Sequence, residues 1–124
     1  VLVVDDDDRV RGSIRLALEL LGLSVLEAPG GAEAIEIFRR RRGSIDWVLM
    51  DLTMPRMDGH TAFLRLREID PDVVVVLTSG WAESEVAERF TKDPPAALLS
   101  KPFTIDRLEA LLARLQLARD IAAT

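Results

Sequence analysis

Trp47-Val48-Leu49-Met50-Asp51 is a short apolar run that ends on a single carboxylate, and four comparable runs punctuate the rest of the chain. They are Val1 to Val4, Ser24 to Glu27, Val73 to Leu77 and Ala97 to Leu99. Between them, apolar residues recur at helical spacing: Ile14, Leu18 and Leu21; Ala34, Ile37 and Phe38; Phe63, Leu66 and Ile69; Leu108, Leu111, Leu112 and Leu115. Short apolar runs alternating with segments of helical period predict strands covered on both faces, and hence an α/β fold with a parallel sheet and crossover helices. The fourth helical stretch, Glu83 to Phe90, has only Val86 and Phe90 as large apolar anchors and is expected to be the element that moves.

The breaks between these segments agree with that division. Gly22 can close the first helix in a left-handed conformation, and Pro29-Gly30-Gly31 interrupts the chain after the second run. Asp70-Pro71-Asp72 stops the third helix, and Lys92-Asp93-Pro94-Pro95 precedes the last run.

A chain of 124 residues with 48% hydrophobic content is expected to form one domain over 1–124. It has no Cys and one His, which excludes thiolate and multi-histidine metal sites, so any metal must be held by oxygen. The 16 Lys and Arg against 21 Asp and Glu give a formal charge of −5, which opposes a phosphate backbone and argues against direct nucleic-acid binding. The basic tract Arg39 to Arg42 is expected at a helix C-terminus, where cations meet the negative end of the dipole. No apolar stretch approaches the ~20 residues that cross a bilayer, so no membrane contact and a cytoplasmic location are expected. The absence of an initial Met, directly ahead of a strand, suggests a segment of something longer.

In an open parallel sheet, ligands bind beyond the carboxyl ends of the strands, which directs attention to the residues that follow each run. After the first come Asp5, Asp6, Asp7 and Asp8; after the third, Asp51; after the fourth, Thr78 and Ser79; after the fifth, Lys101. Asp7 and Asp8 suit an acidic helix start. Carboxylates gathered at one sheet edge repel by ~4 kcal/mol per pair at ~4 Å and an effective dielectric near 20, unless a cation joins them. All-oxygen ligation is the habit of Mg²⁺, and such a site commonly awaits a phosphate. Phosphoryl chemistry then needs a carboxylate nucleophile, a hydroxyl for one oxygen and an ammonium for another, which Asp51, Ser79 and Lys101 can supply.

These residues stand in motifs that resemble the receiver domains of two-component response regulators, from Val1 to about Leu117. The motifs are Val3-Val4-Asp5-Asp6, then Asp51-Leu52-Thr53-Met54-Pro55-Arg56-Met57-Asp58-Gly59, Thr78-Ser79-Gly80-Trp81 and Lys101-Pro102-Phe103. The resemblance implies a flavodoxin-like, doubly wound (βα)5 fold with a five-stranded parallel sheet in the order 2-1-3-4-5. It also implies a signalling module, not an enzyme, that takes a phosphoryl group onto Asp51 from a histidine kinase or phosphotransfer protein. Mg²⁺ would be held directly by Asp6 and Asp51, through water by Asp5, and by the backbone carbonyl of Thr53. Ser79 would be the switch hydroxyl, Lys101 would contact the phosphate beside a cis bond to Pro102, and Gly59 would provide a tight turn. Homodimerisation through the fourth and fifth helices is a further expectation from the family.

The family often carries an aromatic residue three positions before the lysine, where this chain has Leu98, so signal would leave by another route, such as the fourth helix and Trp81. Trp81 would either gate the site or pack on the surface. The wording from Leu77 to Glu83 and from Leu98 to Phe103 is similar to receivers of hybrid sensor histidine kinases. Two other functions remain open: a haloacid dehalogenase-like phosphohydrolase with Asp5 as nucleophile, and a pseudo-receiver that only binds proteins.

Overall fold

The computed structural model describes residues 1–80, Glu88, Phe90 and residues 94–115. The predicted helix from Glu83 to Phe90, apart from Glu88 and Phe90 themselves, and Trp81 lie outside the described residues.

The central apolar run forms β3 (Val48–Asp51), buried at every residue. Around it stand β1 (Leu2–Val4), β2 (Leu26–Ala28), β4 (Val75–Ser79) and β5 (Ala97–Ser100), and all neighbouring pairs are parallel in the order β2-β1-β3-β4-β5. The described helices are α1 (Asp8–Leu20), α2 (Gly31–Arg41), α3 (Gly59–Ile69) and α4 (Ile105–Leu115).

Alternation along the strands divides the core into two layers. Leu2, Val4, Val48, Met50, Val75 and Leu77 pack against Ala34 and Phe38 of α2 and Ala62, Phe63 and Leu66 of α3. Val3, Leu49 and Val76 face the other way, against Ile14 and Leu18 of α1 and Leu108, Leu111 and Leu112 of α4. Each fully buried aliphatic side chain contributes about 1.5–3 kcal/mol, which is why helices settle on both faces of the sheet. Leu112 is core, and Leu115 packs partly against the same layer.

Helix ends follow the local chemistry. Asp7 caps α1 by accepting the N–H groups of Arg9 and Val10. At the other end Gly22, at φ 89°, lets Leu23 N–H reach Leu18 O (3.1 Å) while its own N–H reaches Glu19 O (3.0 Å). This paired closure needs the left-handed conformation that glycine adopts freely. Arg39, Arg40 and Arg41 occupy the last turn of α2, as the dipole favours.

Two strands, β2 and β4, begin two residues later than their apolar runs. Val73 N–H bonds Asp70 O at 3.1 Å, so Val73 still belongs to the turn, and β4 instead extends through Thr78 and Ser79. At the sheet edge, β2 is placed by pairing with β1, Leu26 N–H to Val1 O (2.8 Å) and Asp5 N–H to Ala28 O (3.2 Å), not by apolar content.

Candidate functional site

The register of the sheet brings the chemical groups to one edge. Val4 pairs with Met50, so Asp5 and Asp51 leave their strands side by side; Asp51 pairs with Thr78, and Ser79 with Ser100, immediately before Lys101. Lys101 N–H donates to Ser79 O at 2.7 Å, and the Lys101–Pro102 bond is cis.

Asp5 (1% exposed) and Asp51 (8%) are buried, whereas Asp6 is exposed, and one carboxylate oxygen from each lies within 4.8 Å of the others. Lys101 Nζ stands 3.2 Å from Asp5 Oδ2 and 3.2 Å from Asp51 Oδ2. The other oxygens are held by backbone: Asp7 N–H donates to Asp5 Oδ1 at 2.9 Å, and Thr53 N–H to Asp51 Oδ1 at 3.3 Å.

Burial raises the Asp51 pKa above the ordinary carboxylate value; the Lys101 ammonium opposes this and the neighbouring Asp5 charge adds to it. For Lys101, burial works to lower the pKa, yet Asp51 and Asp5 together hold it above the usual amine value. The two directions are compatible, because one ammonium is shared between two carboxylates while it enjoys both.

This donor set fits a small hard cation. Around an ion with Mg²⁺–O distances of about 2.1 Å, octahedral neighbours lie about 3.0 Å apart and opposite ligands about 4.2 Å. A spread of up to 4.8 Å among the three carboxylate oxygens is close to these separations.

The loop after Asp51 is drawn tightly over the sheet. Leu52 N–H bonds Thr78 O (2.9 Å), and Gly59 N–H bonds Leu52 O (2.7 Å). A Cβ on Gly59 would lie 2.5 Å from Asp51 O and 2.7 Å from Leu52 Cα. Close backbone approach, in place of the tight-turn role expected, is thus what requires glycine there. The left-handed residue of this loop is Arg56, at φ 69°. Asp58 caps α3 through Thr61 N–H (2.8 Å).

The structure brings together Asp5, Asp6, Asp51 and Lys101, sets Ser79 (4% exposed) at the adjoining strand end, and leaves Thr53 exposed in the loop. Asp7 and Asp8 stand apart as helix-start residues, Asp8 pairing with Arg11 at 2.7 Å. Arg11 belongs to the surroundings of the site although no motif marked it: its Nη1 donates to Asp5 O at 2.8 Å. Leu98, three residues before Lys101, packs partly against the α2–α3 layer.

The Response regulator receiver domain family model matches residues 1–113. Among curated proteins, the chain is 41% identical to the sensor kinase CckA of Brucella abortus, with 87% of this chain covering 11% of that protein. It is 38% identical to the response regulator MprA of Mycobacterium ulcerans, with 99% of this chain covering 54% of that one. The chain therefore spans about a tenth to a half of the length of these relatives. Among solved structures, a response regulator receiver domain protein from Clostridium thermocellum superposes with a TM-score of 0.82 at 29% identity, covering 94% of this chain and 95% of that one. Strand order, the acidic strand-end cluster and these likenesses agree, and the chain belongs to the response regulator receiver domain family of two-component signalling.

Proposed function

We propose that Asp51 is the phosphoryl acceptor, with Asp6 and Asp51 as direct Mg²⁺ ligands, Asp5 acting through water and the Thr53 carbonyl as a further ligand. The observation that carries this reading is the convergence of three carboxylates within 4.8 Å with Lys101 Nζ 3.2 Å from two of them. The donor is a phosphohistidine of a histidine kinase or phosphotransfer protein. Asp51 Oδ attacks phosphorus, the P–N bond breaks as the O–P bond forms, and the imidazole nitrogen keeps the electron pair. Mg²⁺, when bound, neutralises charge on the phosphoryl oxygens. Lys101 supplies a fixed positive charge beside the acceptor, Ser79 offers a hydroxyl to the transferred group, and the Thr53 N–H orients the nucleophile.

The dehalogenase-like alternative is disfavoured by the family match, which is to receiver domains over residues 1–113, and by Asp51, which shares Lys101 with Asp5 at 3.2 Å and has no role in that scheme. Leu16 and Leu20 of α1, 60% and 73% exposed, line a groove with Phe103, Ile105 and Lys101. This apolar face, continuous with the site, suits the donor protein. We further infer one domain over 1–124, cytoplasmic itself and part of a hybrid sensor histidine kinase. The likeness to a sensor kinase supports that context.

The test is labelling by a small phosphodonor. Wild-type protein should be labelled only with Mg²⁺, and Asp51→Asn should take no label; retained labelling of that variant would remove Asp51 from the role.

A further inference from the structure

We propose that Arg11 is a positioning residue for cation binding: through the Asp5 carbonyl it fixes the peptide from which Asp6 is aimed. This rests on the reading of Asp6 and Asp51 as Mg²⁺ ligands.

The guanidinium spends its nitrogens on three separate parts of the fold. Nη1 donates to Asp5 O (2.8 Å), Nε to Glu27 Oε1 on β2 (3.2 Å) and Nη2 to Asp8 Oδ1 at the start of α1 (2.7 Å). Its side chain is only 15% exposed. Glu27 is itself steadied by Arg15, whose Nη1 lies 2.7 Å from Glu27 Oε2. Arg11 thus ties the turn after β1 to the neighbouring strand and to the helix that follows.

What it holds is the peptide between Asp5 and Asp6. Asp5 N–H is already fixed on Ala28 O (3.2 Å), and its carboxylate on Asp7 N–H and Lys101 Nζ. The carbonyl is the remaining polar atom of Asp5, and Arg11 takes it. Asp6 is exposed, so the direction of its carboxylate depends on the backbone beneath it. Planar, multidentate geometry of this kind is a property of Arg that Lys does not reproduce.

Positioning and plain electrostatics predict opposite signs. A cation removed from the neighbourhood should tighten Mg²⁺ binding if charge alone matters. Loss of a residue that orients a ligand should weaken it, commonly by 10-fold or more.

The experiment is titration with Mg²⁺ alone, followed by calorimetry and by the amide shifts of Asp6 and Asp51, on wild type, Arg11→Gln, Arg11→Lys and Glu27→Gln. Expected is binding weaker by about 10-fold in Arg11→Gln, with smaller losses in Arg11→Lys and Glu27→Gln. In phosphodonor labelling, the half-saturating Mg²⁺ concentration should rise by a similar factor, while the rate at saturating Mg²⁺ stays within about two-fold of wild type. Equal or tighter Mg²⁺ binding by folded Arg11 variants would overturn the role of Arg11. If Arg11→Gln fails to fold, Arg11→Lys decides: it keeps the charge, so weaker Mg²⁺ binding supports the positioning role and wild-type binding overturns it. A wild-type protein that binds no Mg²⁺ would instead overturn the metal reading, and the proposal with it.

Discussion

The Lys101 ammonium stands 3.2 Å from Asp51 Oδ2, and the same nitrogen is 3.2 Å from Asp5 Oδ2, so one cation bridges two buried carboxylates. Its removal in Lys101→Met leaves those charges facing each other with poor solvation. The variant should lose about 1–3 kcal/mol of unfolding free energy in chelator, as expected when a charged hydrogen-bonding partner is taken from a partly buried site. Saturating Mg²⁺ should narrow the gap, because the metal ion then screens the same pair. Urea denaturation with and without Mg²⁺ checks this, and an identical loss in both conditions would contradict it.

The raised pKa of Asp51 gives a stability effect of definite sign. Its folded value lies above the unfolded one, so the contribution is fully present below the unfolded pKa and is lost as pH rises through the folded pKa. At neutral pH the ionised, buried Asp51 therefore works against folding. Asp51→Asn should be more stable than wild type near pH 7 in chelator, and the advantage should disappear in acid. Thermal unfolding of both proteins across pH tests it; parallel curves would show that Asp51 is not the titrating group.

Much of this was legible because strand ends are marked by chemistry. Asp5, Asp51, Ser79 and Lys101 each follow or close a run of apolar residues, and a parallel sheet with neighbouring strands in register must gather such residues at one edge. Strand starts were less legible. Val73 looks like the beginning of β4 but is held in the turn by Asp70, and β2 is defined by partners on β1 instead of by its own residues. Arg11 carried no signal for two reasons: Glu27 lies 16 residues away in sequence, and its other essential partner is a backbone carbonyl, which every residue has. Gly59 could be picked out from its motif, but the close approach of Asp51 O and Leu52 Cα that demands it is a property of the folded loop.

That crowding makes two glycines respond oppositely to the same substitution. Gly59→Ala would place a methyl 2.5 Å from Asp51 O, a backbone atom with no freedom to yield. We expect a loss of about 2–3 kcal/mol and slower phosphodonor labelling, since the loop must lift away from Asp51. Gly12→Ala, inside α1 where nothing lies within 4 Å of the new Cβ, should gain about 0.5–1 kcal/mol with labelling unchanged. Chemical denaturation of the two variants separates them; equal effects would mean that helix propensity and not the Asp51 contact governs both.

Partner transfer and intrinsic chemistry should separate on α1. Leu16 and Leu20 are 60% and 73% exposed beside Phe103 and Ile105, so a Leu16→Ser, Leu20→Ser double variant exposes no new core and should shift stability by only about 0.5 kcal/mol. Labelling by a small phosphodonor requires none of that surface and should proceed at the wild-type rate. Transfer from a phosphohistidine protein requires docking, and loss of two apolar anchors should slow it by about 10-fold or more under subsaturating conditions. If both donors label the double variant as fast as wild type, the phosphohistidine protein docks elsewhere. If both slow together, α1 supports the acceptor site itself and not the encounter with a partner.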